Sequence, residues 1–247
     1  MEGVIKCIRA ECMKGRHTPL IFIHLLFPAA GALVFAGYFR ISGWTEPENI
    51  SVFLEAAAIT FPFLIGIIVG IVVQLEKEAG QFLVMLGTIR QRTAVYIGKL
   101  LYLLLLAAVS TGLSLALFAV LYPLVPCSFY LKPAGVLLLT SLPVYLITMF
   151  LGLSMGKSAA MGIGIIGSLL SALMMTGLGD FIWRFIPWAW GIRLVEFCVL
   201  EYCNPERFIA MLPELKIGLF TMLTITAVLF VISLLWFNHW EGPEEEV

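Results

Sequence analysis

Glu76-Lys77-Glu78-Ala79-Gly80-Gln81-Phe82 is a short charged stretch set between two long apolar runs. A polar knot flanked by segments of membrane-spanning length lies at a membrane surface, so these seven residues point to a chain that crosses a bilayer repeatedly. Arg90, Arg92 and Lys99 follow it. Lys and Arg concentrate in cytoplasmic loops, which assigns the stretch to the cytoplasmic side. Only 13% of the residues are charged. A cytoplasmic loop this polar, in such a chain, reads as a surface that touches a soluble partner.

Composition agrees. Of 247 residues, 61% are hydrophobic, with a mean hydropathy of +1.01, whereas soluble domains carry roughly 45–50% apolar residues. The net charge of −1 gives no reason to expect nucleic acid or an anionic partner. No cleavable signal peptide is visible, because residues 1–17 are too polar and the first apolar run is long enough to span. The five cysteines (Cys7, Cys12, Cys127, Cys198 and Cys203) form no CxxC pair. The three histidines are scattered, so no metal site is expected. Cys198, Cys203 and Cys127 all fall on the outer side in this reading, where a disulfide among them is open.

A spanning helix needs about 20 apolar residues. Six stretches qualify, at about 18–39, 52–74, 98–122, 135–156, 159–179 and 217–237. The expectation is a single all-α polytopic membrane domain over 1–247. Pro28 lies inside the first span and predicts a kink. Six spans put both termini on one side. That side collects Lys6, Arg9, Lys14, Arg16, Lys77, Arg90, Arg92, Lys99 and Lys157, so both termini are assigned to the cytoplasm of a plasma-membrane protein.

Residues 180–215 are apolar but broken by Asp180, Arg184, Pro187, Arg193, Glu196 and Glu201. A charge at the centre of a span costs roughly 2.5–3.5 kcal/mol on translocon scales. The segment therefore reads as external re-entrant or interfacial helices, with a seventh span as the alternative. At the N-terminus, Val4, Ile5, Ile8 and Cys12 share one helical face with Lys6 and Arg9 opposite. This reads either as an amphipathic helix on the inner leaflet or as the ordinary basic flank of a first span. Residues 241–247 read as a solvated acidic tail.

Other motifs have plain explanations. Gly152-Leu-Ser-Met-Gly156-Lys157-Ser158 is one residue short of a phosphate-binding P-loop and lacks a preceding strand, so it is not read as an ATP site. Gly66/Gly70 and Gly152/Gly156 are small-xxx-small pairs suited to close helix packing. His24 and Glu55 are the only ionisable residues near span interiors, and both sit close to span ends. No chain of buried carboxylates is expected, which argues for an energy source outside the chain. No nucleophile–base motif or other catalytic residue is found. The spacing at 76–82 alone leaves a docking surface and a plain polar loop equally open.

Together these features resemble the membrane subunit of an ABC-2-type exporter. The resemblance is carried by the basic amphipathic N-terminus with Lys6, Glu11 and Lys14, and by a first span with His24, Pro28, Gly31, Phe35 and Tyr38. It continues through a second span ending Glu76-Lys77-Glu78-x-Gly80-x-Phe82, then Leu83 to Thr88, Arg90 and Lys99-Leu100. Within that class the chain is similar to the lantibiotic-immunity permeases of Gram-positive bacteria. The resemblance implies a non-catalytic transport subunit that removes lantibiotics or similar cationic antimicrobial peptides from the membrane. Glu76, Lys77, Glu78, Gly80, Gln81 and Phe82 would form the segment that docks on an ATP-binding subunit. Lys6, Arg9, Arg90 and Arg92 would meet headgroups or that subunit. The implied partners are two copies of the ATPase, a second homologous permease, the lipid bilayer and an amphipathic peptide, with no nucleic acid. ATP and Mg would be held by the ATPase, and no cofactor by this chain. Trp183, Trp188, Trp190, Glu196 and Glu201 are candidate external peptide contacts. An exporter of another hydrophobic solute or lipid, and a non-transporting scaffold or sensor, are the rival readings.

Overall fold

The computed structural model describes residues 2–16, 18–80, 82, 85, 87 and 92–242. It is all-helical, with no strand among the described residues. The helices are α1 (Glu2–Gly15), α2 (Leu20–Phe39), α3 (Glu46–Glu78), α4 (Arg92–Leu121), α5 (Leu131–Met155), α6 (Lys157–Met174), α7 (Pro187–Cys203) and α8 (Pro205–His239). Six of them are long and apolar enough to cross a membrane: α2, α3, α4, α5 with its leading turn, α6 and α8.

Several helices outrun their apolar stretches. At 1.5 Å per residue, the 33 residues of α3 and 35 of α8 extend about 50 Å, against a hydrocarbon thickness of about 30 Å. Local chemistry fixes their starts. Thr45 and Glu48 form a capping box on α3: the Thr45 N–H donates to the Glu48 carboxylate at 2.8 Å. The Asn204 side chain accepts from the Arg207 N–H at 3.1 Å, and Pro205 opens α8.

Helix ends differ from the apolar windows where side chains intervene. α6 stops at Met174, short of the expected 179. Arg193 on α7 explains this: its Nε donates to the Met174 carbonyl at 2.7 Å and its Nη2 to the Thr176 carbonyl at 2.9 Å. A guanidinium there satisfies the orphan carbonyls and complements the helix dipole. α5 and α6 are joined by Gly156 alone, at φ 90°, a conformation that favours glycine.

Close approaches at glycine set the bundle's spacing. Gly66 on α3 faces Gly164 on α6, so closely that a Cβ at either would come within 2.8 Å of the partner's Cα. Gly152 likewise abuts Val73 and Ala160, and Gly70 abuts Met161 and the Lys157 backbone. At Pro28 the helix α2 lacks the N–H that would bond the His24 carbonyl. The Ser110 hydroxyl of α4 donates to that carbonyl instead, at 2.8 Å. Such substitution by a neighbouring hydroxyl is how proline is tolerated in apolar helices.

Residues 175–203 form a hook. From the end of α6 the chain runs inward, so that Trp183 rests on Gly218 of α8 and Trp188 on Gly167 of α6. α7 then returns to the bundle end, where Glu201 pairs with Lys132 at the start of α5. Its Ile192, Val195 and Val199 join the core that holds Phe53 stacked on Phe118, centroids 3.8 Å apart. Trp183 and Trp190, expected at an external surface, are buried here. Their indole N–H groups find partners inside, the Glu214 carboxylate at 3.0 Å and the Arg184 carbonyl at 2.9 Å. An indole with a satisfied N–H packs as core.

Candidate functional site

At the opposite end of the bundle, four charged side chains close a ring. Lys99 Nζ donates to Glu11 Oε2 at 2.7 Å and to Glu76 Oε1 at 2.7 Å. Lys14 Nζ donates to the same Glu76 oxygen at 2.7 Å and to Glu11 Oε1 at 3.1 Å. The ring alternates in sign and is neutral. Glu76 and Lys99 keep only 3% of their side-chain surface exposed, while Lys14 keeps 39%. Burying any of these alone would carry a large desolvation penalty. Here each ammonium is shared by two carboxylates, and each carboxylate by two ammonium groups. Burial acts to lower the Lys14 pKa, but its hydrogen bond to Glu76 and the charges of Glu11 and Glu76 outweigh it. The ammonium is held above its ordinary value of 10.5.

The ring ties three helices together: α1 through Glu11 and Lys14, α3 through Glu76, and α4 through Lys99. The buried face of α1 includes Cys7, Glu11 and Gly15, one helical turn apart. Cys7 presses on Gly98 of α4, where the absent side chain admits the α1 backbone. Burial, then the charge of Glu11, pushes the Cys7 thiol pKa up. The apolar residues Ile5 and Cys12 flank this face and are exposed, as are Lys6 and Arg9.

The charged stretch itself divides. Glu76 points inward and belongs to the ring, whereas it was expected at a docking surface. Lys77, Glu78 and Gly80 are exposed. Gly80 turns the chain at φ 117°, and Phe82 follows at φ 68°, its N–H donating to the Glu76 carbonyl at 3.3 Å. Phe82 is buried edge-on against Trp240 after α8, centroids 5.4 Å apart, and offers no free surface. Gln81 and Arg90 lie outside the described residues. Arg92, expected at headgroups or a partner, caps α8: its Nη1 donates to the carbonyls of Trp240 at 2.9 Å and Asn238 at 3.3 Å.

Sequence reasoning used Lys14 and Lys99 to orient the loops and, with Glu11, as features of a resemblance, and did not pair them. A signal was present: Lys99 is the one charge after Arg92 in the whole of α4, and such a residue needs a partner. Among the candidate external contacts, Glu201 is engaged with Lys132, and Glu196 lies 3.6 Å from Arg193, itself 2.8 Å from Asp180. Trp188 is half-buried. The five cysteines are free thiols. Among the described residues no group of His, Cys, Asp or Glu is arranged to hold a metal.

The fold is an all-helical bundle with six helices long and apolar enough to cross a membrane and an N-terminal helix tied to it by charge. The chain belongs to the ABC-2 family of transporter proteins, whose description matches residues 7–165, from the first turns of α1 into α6. It is therefore a multi-pass membrane subunit of an ABC transporter, and its family works with an ABC ATP-binding subunit. Comparison with curated proteins and with solved structures returned no match.

Proposed function

We propose that this permease serves an ATP-driven exporter that clears lantibiotics or similar cationic antimicrobial peptides from the membrane and so confers immunity. The peptide cargo is supported by the resemblance of residues 1–40 and 74–100 to lantibiotic-immunity permeases. Coupling to ATP is supported by one arrangement: the exposed turn Lys77–Gly80 and helix α1 sit at the same bundle end, joined by the buried charge ring.

In this reading both termini are cytoplasmic and the ATPase dimer docks on Lys77, Glu78, Gly80 and the exposed Lys6 and Arg9. When ATP closes the ATPase pair, the push on the turn is delivered at once to α1, α3 and α4, because Glu76 and Lys99 bind all three. Glu76 transmits and does not touch the partner. ATP and Mg stay in the ATPase. A second homologous permease completes the pair, and the hook at 175–203 faces the outside.

Two measurements test this. Wild-type protein should co-purify with an ATP-binding subunit, and Glu78→Arg, on an exposed side chain, should lose it while remaining folded. Cells producing the complete complex should tolerate higher lantibiotic concentrations than cells in which the partner ATPase cannot hydrolyse ATP. Retention of the ATPase by Glu78→Arg sinks the docking assignment; unchanged tolerance across a lantibiotic panel sinks the cargo.

A further inference from the structure

A second site lies away from the charge ring, in the seam between α2 and α3. A cavity of about 110 Å³ sits there, closed behind by α4 and α5. Its walls carry four rings: Phe27 and Phe35 from α2, Phe53 and Phe61 from α3. α2 leans on α4 and touches α3 only lightly, and Phe35 meets Phe53 edge-on across the seam, centroids 5.8 Å apart, so the opening lies on the Phe27 side of that pair. Phe27 and Gly31 line that opening, and Phe27 is half exposed on the outer surface of the bundle.

One fully buried polar atom in this wall lacks a partner. Thr60 donates to the Ala56 carbonyl and Ser110 to the His24 carbonyl. Thr111, which also lines the cavity, is 3% exposed, and its Oγ1 has no hydrogen-bond partner. A buried hydroxyl left unpaired in an apolar helix bundle is costly. A Thr inside a helix ordinarily bonds its own i−4 carbonyl, so the free hydroxyl of Thr111 points to a partner that the chain does not supply.

We infer that this cavity binds an aromatic ring carrying one hydrogen-bonding substituent, which enters laterally through the α2–α3 seam and bonds the Thr111 hydroxyl. At about 110 Å³ the cavity is smaller than the engineered apolar cavity of about 150 Å³ that takes benzene, so it seats no more than a single ring, part of which stays in the open seam, and excludes larger fused systems. The walls fit, because rings prefer edge-to-face and offset contact with other rings. The inference stands apart from the nature of the exported cargo, since it rests on the cavity alone.

The test uses the full-length protein in phospholipid nanodiscs and the photoreactive probe 4-azidophenol, with labelled residues mapped by mass spectrometry. Labelling should saturate, fall on residues 27–35, 53–64 and 110–115, and be suppressed by excess phenol but not by excess decanol. Thr111→Val keeps the shape and removes the hydroxyl; it should weaken labelling roughly five- to tenfold, the loss of one hydrogen bond. Gly31→Leu should abolish labelling by filling the cavity. A Cβ at Gly31 meets no atom within 4 Å, and a melting temperature equal to wild type is the check that Gly31→Leu is folded. Competition by N-acetyltyrosinamide as well as phenol identifies the ring of a peptide as an occupant; competition by phenol alone identifies a small free molecule. Labelling that rises without saturation and is equal in Gly31→Leu is lipid partitioning and overturns the inference. Suppression by decanol and not by phenol overturns it too, in favour of an alkyl chain.

Discussion

Replacing Lys99 by methionine removes the ammonium that bridges two buried carboxylates and keeps a side chain of similar length. Lys99 lies 2.7 Å from both Glu11 and Glu76. Without it both acids depend on Lys14, which is more than a third exposed and so screened by solvent. Breaking a buried pair from one side costs about 3–5 kcal/mol. The cheapest escape is for α1 to lift off, returning Glu11 and Lys14 to water. Each 1.4 kcal/mol is tenfold, so the undocked fraction of α1 should rise by roughly a hundred- to several-thousand-fold. Cys7 reports it, being buried against Gly98 in the docked helix. In a background with the exposed Cys12, Cys127 and Cys203 changed to Ser, maleimide labelling of Cys7 at pH 8 should be slow in otherwise wild-type protein and fast in Lys99→Met. Adding Glu76→Gln leaves only the neutral Glu11–Lys14 pair and should restore much of the protection, giving a coupling energy by double-mutant cycle. Equal Cys7 labelling in wild type and Lys99→Met, with no drop in thermal stability, would refute the view that the ring holds α1.

Four further outcomes follow from the same structure. Lys14 has a raised pKa in the folded protein, so the stability it contributes is full below about 10.5, fades as pH climbs from there through the raised value, and is then gone. The gap in melting temperature between wild type and Lys14→Met should therefore be flat from pH 7 to 10 and close only above that. Gly164→Leu forces α3 and α6 apart at Gly66 and should cost about 1–3 kcal/mol or more, read by thermal unfolding. Gly112→Ala, where a Cβ meets open space, should cost nothing. Trp183→Ala removes a buried indole and leaves Glu214 without its N–H donor; a loss of about 3–5 kcal/mol is expected in the same assay.

The bundle was legible because apolar length is written locally: each of the six long helices contains its own run of some twenty apolar residues. The charges that interrupt 180–215 marked it off from the spans, but α8 takes in 205–215, so the break falls at Asn204, where the side chain and Pro205 start that helix. The site was only half legible. Glu76 stood out as a charge between apolar runs, but its partners are 23 and 62 residues away in sequence, and no local pattern pairs a lysine in one helix with carboxylates in two others. The tryptophans misled for a related reason. An indole suits both an interface and a core with a waiting acceptor, and Glu214 and the Arg184 carbonyl become acceptors only once the chain has folded. Arg92 was read as a surface charge because the end of α8, which it caps, is about 146 residues further on.

The order of the ring along the chain bears on how the protein is made. Synthesis runs from the N-terminus, so Glu11, Lys14 and Glu76 all exist before Lys99 leaves the ribosome. Lys99 is the last member made, and when α4 enters the bilayer both counter-charges for its only buried ammonium are already in place. A circular permutant that moved α1 to the C-terminus would present Glu76 and Lys99 to the insertion machinery as a lone pair, with the other half of the ring arriving last.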